Sequence, residues 1–160
     1  MLSEKEFIQE IRQNENIIYK VCNRYMDNKA DREDLFQEIL LNAWKGITRY
    51  KGLSKFSTWL YRVALNTAIT FYKKGKKNSM ASGQANWFDS NSDIQDERII
   101  AMNKAINELS GIDKALVMLY LEDYTYQGIA DIMGITVNNV AVKMNRIKAR
   151  LKENCKKYLS

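Results

Sequence analysis

Residues 125–152, TYQGIADIMGITVNNVAVKMNRIKARLK, decide the fold of the C-terminal part of this chain. Their pattern predicts two helices joined by a tight glycine turn. At about 100° per residue, the second helix separates an apolar face from a face of amide and basic side chains. This arrangement is typical of a helix-turn-helix, whose second helix lies in the major groove of DNA. The apolar face holds Val140, Met144, Ile147 and Leu151, and the opposite face holds Asn139, Lys143, Arg146 and Arg150.

The composition favours an all-helical protein, because the 160 residues include no proline and 7 glycines. Lys and Arg number 25 against 19 Asp and Glu, a net charge of +6. The charge is uneven: residues 1–77 carry 15 basic and 9 acidic side chains, residues 78–100 carry 1 and 4, and residues 101–160 carry 9 and 6. Two basic ends around an acidic middle fit two modules that face a polyanion, joined by a connector. The excess permits a nucleic-acid partner without requiring one.

Several kinds of site are disfavoured by the residue types. The chain has no His, and Cys22 and Cys155 lie far apart, which fits thiols in a reducing cytosol rather than a disulfide or a zinc site. No apolar run is long enough to span a bilayer, and the first residues, MLSEKEF, lack the apolar core of a signal peptide. The sequence therefore predicts a cytoplasmic protein with no cofactor, no bound metal and no membrane insertion.

The hydrophobic spacing predicts an all-α fold of two small helical domains, residues 1–74 and 94–160. Residues 75–93, rich in Gly, Ser, Asn and Lys, are typical of a flexible linker between them. Trp87 and Phe88 are unusual in a free linker and predict docking either on a domain or on a partner. Helical patterns cover roughly 4–27, 32–50, 55–74 and 94–121, ahead of the helix-turn-helix.

An acidic stripe lies on the second predicted helix. It surrounds Leu41, and an exposed leucine ringed by acids and an amide resembles a protein-binding surface. Alternatively, Asp31, Glu33 and Asp34 simply favour the N-terminus of this helix through the helix dipole. A metal site at Asp34 and Glu38 lacks a third ligand. The predicted core face holds Phe36, Ile39, Leu40, Ala43 and Ile47, and the opposite face holds Asp34, Gln37, Glu38, Leu41 and Lys45.

The third predicted helix carries cations, an indole and an amide on one face. Such a stripe fits single-stranded nucleic acid, because cations follow phosphates, an aromatic ring stacks on a base and an amide bonds a base edge. The preceding basic loop, 49–55, could hold an unstacked base. Alternatively, the stripe is an ordinary surface with Trp59 half buried. The stripe holds Lys55, Trp59, Arg62, Asn66, Thr70 and Lys73, and the opposite face holds Phe56, Leu60, Val63, Ala64, Thr67 and Phe71.

Three motifs occur in a familiar order: DREDLFQE at 31–38, WLYRVALN at 59–66 and YQGIA at 126–130. Together they resemble the extracytoplasmic-function sigma factors, the smallest class of bacterial RNA polymerase specificity subunits. The resemblance implies a region 2 domain, a flexible linker and a region 4 domain, with no catalytic activity in the chain itself. It also implies three partners: core RNA polymerase, promoter DNA and an anti-sigma factor.

The resemblance assigns roles to residues. It implies that Asp34, Gln37 and Glu38, in the stripe around Leu41, dock on the clamp helices of the polymerase β′ subunit. The loop from Arg49 to Ser57, with part of the following helix, would capture unpaired bases of the promoter −10 element, and the second helix of the helix-turn-helix would read the −35 element. The implied −10 residues are Arg49, Tyr50, Lys51, Lys55, Trp59, Arg62 and Asn66, and the implied −35 residues are Asn138, Asn139, Lys143 and Arg146.

Two departures from the family pattern affect the helix-turn-helix. Thr125 is followed three residues later by Gly128 in place of the usual Glu, so the reciprocal capping box is lost and we expect a weaker helix start. The second helix has Ala141, Val142 and Lys143 where the family has several arginines. Fewer arginines predict less guanine reading and more A·T contact through Asn.

Two other functions fit parts of the sequence. A dimeric helix-turn-helix repressor or activator, with residues 1–74 as a sensor or dimerisation domain, would bind a palindromic duplex site. It gives no role to the acidic stripe or to the stripe around Asn66. A metal-dependent nuclease using Asp34 and Glu38 would have too few ligands.

Overall fold

The computed structural model describes residues 2–76, 86–88 and 96–159, with the backbone alone at 74–76. These residues are helical and contain no strand, so the all-α prediction is confirmed. The chain divides into an N-terminal unit, Met1–Asn78, and a C-terminal unit, Ser79–Ser160. None of the helices in the described ranges is both long and apolar enough to cross a membrane.

The N-terminal unit contains the helices α1 Glu4–Gln13, α2 Glu15–Tyr25, α3 Lys29–Gly46 and α4 Phe56–Lys76. It is built around α4, which packs on both α2 and α3. Because α4 is covered on two sides, its buried face is broad: Leu60, Ala64 and Ala68 are inaccessible to solvent, and Tyr61 is nearly so. A 3₁₀ turn, Ile47–Arg49, follows α3.

The single first helix predicted over 4–27 is wrong, because the chain breaks at Asn14. The side-chain amide of Asn14 donates to the carbonyl oxygen of Glu10 at 2.8 Å, and its backbone N–H donates to the same oxygen at 3.2 Å. An Asn side chain that bonds the nearby backbone in this way competes with the helical hydrogen-bond ladder. The chain therefore ends α1 and begins α2 within one residue.

The predicted core face of α3 is partly wrong. The residues with no accessible surface are Leu35, Ile39 and Ala43, whereas Phe36 and Leu40 are half buried. Periodicity alone places the apolar side of a helix, but its neighbours decide which part is buried deepest. Here α2 and α4 both contact α3, so the deepest stripe faces them.

The C-terminal unit contains the helices α5 Glu97–Asn107, α6 Gly111–Leu121, α7 Tyr126–Met133 and α8 Val137–Leu159. The first three pack against the long α8. The predicted apolar face of α8 is confirmed by Val140, Met144 and Ile147, all at most 3% exposed, with Leu151 half buried. Gly134 ends α7 with a φ of 72°, a left-handed conformation that glycine adopts without steric cost.

Part of the predicted linker is docked on the C-terminal unit. Trp87 is 3% exposed, and its backbone N–H donates to Oδ1 of Asn103 on α5 at 2.9 Å. Of the two alternatives for Trp87, the structure therefore shows docking on a domain; Phe88 is half buried. Most other residues of the predicted linker lie outside the described residues, and its predicted flexibility therefore stays a prediction.

Candidate nucleic-acid interface

The acidic stripe on α3 is exposed as predicted: Asp34, Gln37 and Glu38 are accessible, and Leu41 is 45% exposed. The helix dipole explains some acids of α3 but not these. Asp31 lies in the first turn, beside the capping residue Asn28, whose Oδ1 accepts the Asp31 N–H at 2.8 Å. The dipole acts within that first turn. Glu38 lies more than two turns into the helix, so its exposed carboxylate needs another explanation.

Beside the stripe lies an apolar groove that the sequence pattern did not predict. It has a volume of about 450 Å³ and runs between α1 and α3. Ile8 of α1 and Trp44 of α3 are 45% and 47% exposed. The ring of Trp44 makes an edge-to-face contact with the ring of Phe7, with 5.2 Å between the ring centroids. Trp44 follows Leu41 by three residues, a spacing that places both on one side of a helix and was visible in the sequence. An apolar surface bordered by acids suits a protein partner.

Among the described residues, no three potential metal ligands come together. Asp34 and Glu38 therefore have no third ligand in this part of the chain, and the nuclease alternative gains no support.

A second cavity, also of about 450 Å³, lies between α3 and α4. Lys45 and Arg49 line its α3 side, and Asn66 and Thr70 line its α4 side. Between them Asn42 donates to Oγ1 of Thr67 at 3.0 Å, which ties the two helices together. Glu38 also lines the α3 side. The two cations of this wall and the amide on the other are suited to the phosphate and the base edge of an unstacked nucleotide.

Two predicted −10 residues, Tyr50 and Trp59, do not line this cavity but pack against each other at the loop 49–55. The rings of Tyr50 and Trp59 lie 5.3 Å apart, and both contact Phe56. The Tyr50 hydroxyl donates to the Ser54 carbonyl oxygen at 2.6 Å, and the Trp59 ring packs over Gly46. Trp59 is half buried, so the geometry favours a packing role for it over base stacking.

The loop itself turns at Gly52, whose φ of 75° suits glycine. Lys51 and Lys55 are exposed on this loop and lie outside the cavity lining, and Leu53 between them is 92% exposed. Arg62 is exposed on α4. The structure thus places Arg49 and Asn66 in the lining of one cavity, whereas the other predicted −10 cations, Lys51, Lys55 and Arg62, lie outside that lining.

The outward face of α8 carries the predicted −35 residues. Asn138, Asn139 and Arg146 are exposed and Lys143 is half exposed. The Oγ1 of Thr136 accepts the Asn139 N–H at 3.1 Å, which caps the start of the helix. Val142 and Asn145, absent from the predicted set, are exposed on the same face. Arg150, the fourth residue of the predicted polar face, lies 3.8 Å from the carboxylate of Asp113 on α6.

The start of α7 has half of the capping box that is usual in the family, and the reciprocal half is absent, as predicted from Gly128. The Oγ1 of Thr125 accepts the Gly128 N–H at 3.0 Å, which satisfies one of the free donors of the helix start. A Cβ at Gly128 would lie 3.3 Å from Cδ1 of Tyr124. The Tyr124 ring thus crowds the position where the family has Glu.

Comparison with known proteins identifies this arrangement. The Sigma-70 region 2 family matches residues 11–78, and the Sigma-70, region 4 family matches residues 99–151. The RNA polymerase sigma factor SigV of Bacillus subtilis is 26% identical over 129 residues, covering 80% of this chain and 78% of SigV. The ECF RNA polymerase sigma factor SigW of the same species is 26% identical over 152 residues, covering 85% and 81%. The chain belongs to the extracytoplasmic-function sigma factors.

Solved structures of two other proteins share the fold of this chain. The sigma factor RpoE from Bartonella quintana, in complex with the anti-sigma factor NepR, superposes with a TM-score of 0.66 at 21% identity. The match covers 95% of this chain and 98% of RpoE. CnrH, in complex with the cytosolic domain of CnrY, gives a TM-score of 0.63 at 16% identity, covering 94% and 88%. At such identities these similarities concern the fold.

As a sigma factor, this chain directs core RNA polymerase to promoters and initiates transcription. The alternative of a dimeric repressor is not favoured, because the N-terminal unit matches a sigma region rather than a sensor domain.

Proposed function

We propose that the two units of this sigma factor divide promoter recognition between them. Residues 1–74 dock on core polymerase and capture unpaired −10 bases, residues 75–93 connect the units, and residues 94–160 read the −35 element as duplex. The chain works in the cytoplasm and leaves catalysis to the polymerase. The observation that carries the proposal is that Glu38, in the acidic stripe, also lines the cavity that holds Asn66.

The shared position of Glu38 links docking to base capture. Asp34, Gln37, Glu38 and Leu41 form one exposed surface, which we assign to the β′ clamp helices. Because Glu38 belongs both to this surface and to the cavity lining, a partner seated there borders the cavity between α3 and α4. Unpaired DNA held in the cavity by Arg49 and Asn66 is then close to the polymerase as the duplex opens.

We assign the capture of an unpaired base to the cavity itself. Extruding a base costs a few kcal/mol of unstacking, which stacking and edge hydrogen bonds recover. Asn66 supplies the edge contact and Arg49 the phosphate contact. The exposed Lys51, Lys55 and Arg62 guide the strand, and Tyr50 and Trp59 hold the loop in shape.

In the C-terminal unit, we assign −35 reading to Asn138, Asn139, Lys143 and Arg146. An anti-sigma factor is a further partner, supported by the NepR complex of the similar RpoE fold. Competition between that partner and core polymerase for the N-terminal unit would fit the exposed groove beside the acidic stripe.

Gel filtration with purified core polymerase tests the docking assignment. We expect the wild-type chain to co-elute and a Gln37→Ala, Glu38→Ala double variant to stay free. Glu33→Ala is the matched control, because Glu33 is also an exposed acid of α3 but lies near Lys29 in the first turns, outside the proposed surface. A wild-type chain that stays free of polymerase and runs as a dimer would contradict the proposal.

A further inference from the structure

Val142 occupies the centre of the exposed face of α8. Val140 and Met144, the buried residues on either side of it, each lie two positions away, which corresponds to about 200° around a helix. Val142 therefore points away from the core, and it is 47% exposed. Helix geometry thus places an apolar side chain where a recognition helix meets the floor of the major groove.

The neighbours of Val142 are polar and carry no negative charge. Asn138, Asn145 and Arg146 lie at the i−4, i+3 and i+4 positions, which adjoin it on the helix surface, and all three are exposed. Residues 137–152 include no Asp or Glu. Such a face suits base edges and phosphates, and Val142 is the one β-branched side chain in the middle of it.

In the major groove, the base-edge group that offers an apolar contact is the C5-methyl group of thymine. We propose that the γ-methyl groups of Val142 pack on the C5-methyl group of a thymine in the −35 element. This inference rests on the proposed function, because it requires α8 to lie in the major groove. It makes Val142 a specificity-determining residue, and it agrees with the A·T preference that the amides of this helix indicate.

Uracil tests this contact because it differs from thymine only by the missing C5-methyl group. The probe is the promoter duplex that the reconstituted holoenzyme enriches from a pool randomised across the −35 region. Each thymine of the enriched −35 sequence is then replaced singly by uracil, and binding is measured by fluorescence anisotropy. At one such position, wild-type holoenzyme should bind the uracil duplex about fourfold more weakly than the thymine duplex, which is the effect of no longer burying one methyl-sized group.

Variants assign the effect to Val142. Val142→Ala should bind the thymine and uracil duplexes equally, and Val142→Thr, which keeps one γ-methyl group, should retain part of the preference. Val137→Ala is the matched control, because Val137 is an exposed valine of α8 on a different side of the helix, and it should retain the full preference. Circular dichroism checks that each variant folds.

Three outcomes would overturn the inference. Wild-type binding that is indifferent to uracil at every position, while Lys143→Ala still weakens binding, would leave the proposed function standing and remove the role of Val142. A thymine preference that survives in Val142→Ala would assign the methyl contact to another side chain. Failure of the holoenzyme to enrich any −35 sequence would contradict the proposed function as well.

Discussion

The indole Nε1–H of Trp87 donates a 3.0 Å hydrogen bond to Oδ1 of Asn107 inside the C-terminal unit. Asn103, which accepts the Trp87 backbone N–H, precedes Asn107 by one helical turn, so both amides lie on one side of α5. A tryptophan from the connecting sequence is thereby held at its backbone and at its ring.

Replacing Trp87 with Ala should destabilise the C-terminal unit by about 3–5 kcal/mol, the usual cost of deleting a buried tryptophan. Asn107→Leu should cost about 1–3 kcal/mol, because it removes the acceptor of a buried indole N–H. Urea unfolding followed by circular dichroism measures both. Phe88→Ala, next to Trp87 but half buried, should cost less. Unchanged stability of Trp87→Ala would show that the docked position does not persist in solution.

Asn66→Ala should weaken promoter opening roughly tenfold, because the variant loses a base-edge hydrogen bond worth about 1–3 kcal/mol. Permanganate reactivity of unpaired thymines measures opening, and anisotropy measures duplex −35 binding, which should be unchanged. Asn16→Ala replaces an exposed asparagine of α2 outside the cavity and should have no effect. Equal loss of opening and duplex binding would refute the division of labour between the units.

Lys143→Ala should lower the affinity of the holoenzyme for promoter duplex and reduce the slope of log affinity against log salt by about 1, the effect of one lost phosphate contact. Lys104→Ala is the control, because Lys104 lies on α5 with its ammonium 5.4 Å from the Tyr158 ring. If Lys143→Ala instead lowers affinity only for duplexes that carry one particular base pair, and leaves the salt slope unchanged, then Lys143 reads sequence and does not contact a phosphate.

The stability of the N-terminal unit should fall at alkaline pH. Burial raises the pKa of Cys22 from 9.0 to about 12, and it also raises the pKa of Tyr25 and Tyr72 above 10.0. Above pH about 9 the unfolded chain releases the thiol proton while the folded chain retains it, so unfolding becomes easier as pH rises. Below pH about 9 both the folded and the unfolded chain keep the thiol proton, so the N-terminal unit has its full stability with respect to this group.

Urea unfolding of the full chain at pH 8 and at pH 10.5 measures this dependence. Cys22→Ala should show a shallower fall of the unfolding free energy than wild type, whereas Cys155→Ala, which changes a partly exposed thiol, should match wild type. A fall of the same steepness in Cys22→Ala would assign the alkaline effect to the tyrosines alone.

The sequence predicts the helix-turn-helix well because its apolar residues repeat regularly at the helical spacing. Val140, Met144 and Ile147 recur at the helical repeat, and a glycine marks the turn before them. The prediction is weaker on α3, where Leu35 is buried and Phe36 is only half buried. It also misses the break at Asn14, where a side chain competes locally with the backbone.

The sequence by itself determined the helical fold, the family and the exposed polar faces of α3, α4 and α8, because helical periodicity and short motifs are local properties of the chain. Tertiary structure alone decided which residues meet: Arg49 with Asn66 in one cavity, and Trp87 with Asn107 in the core of the C-terminal unit. The two residues of each pair are 17 and 20 positions apart in the sequence, and only the packing of one helix or segment on another brings such residues to one place.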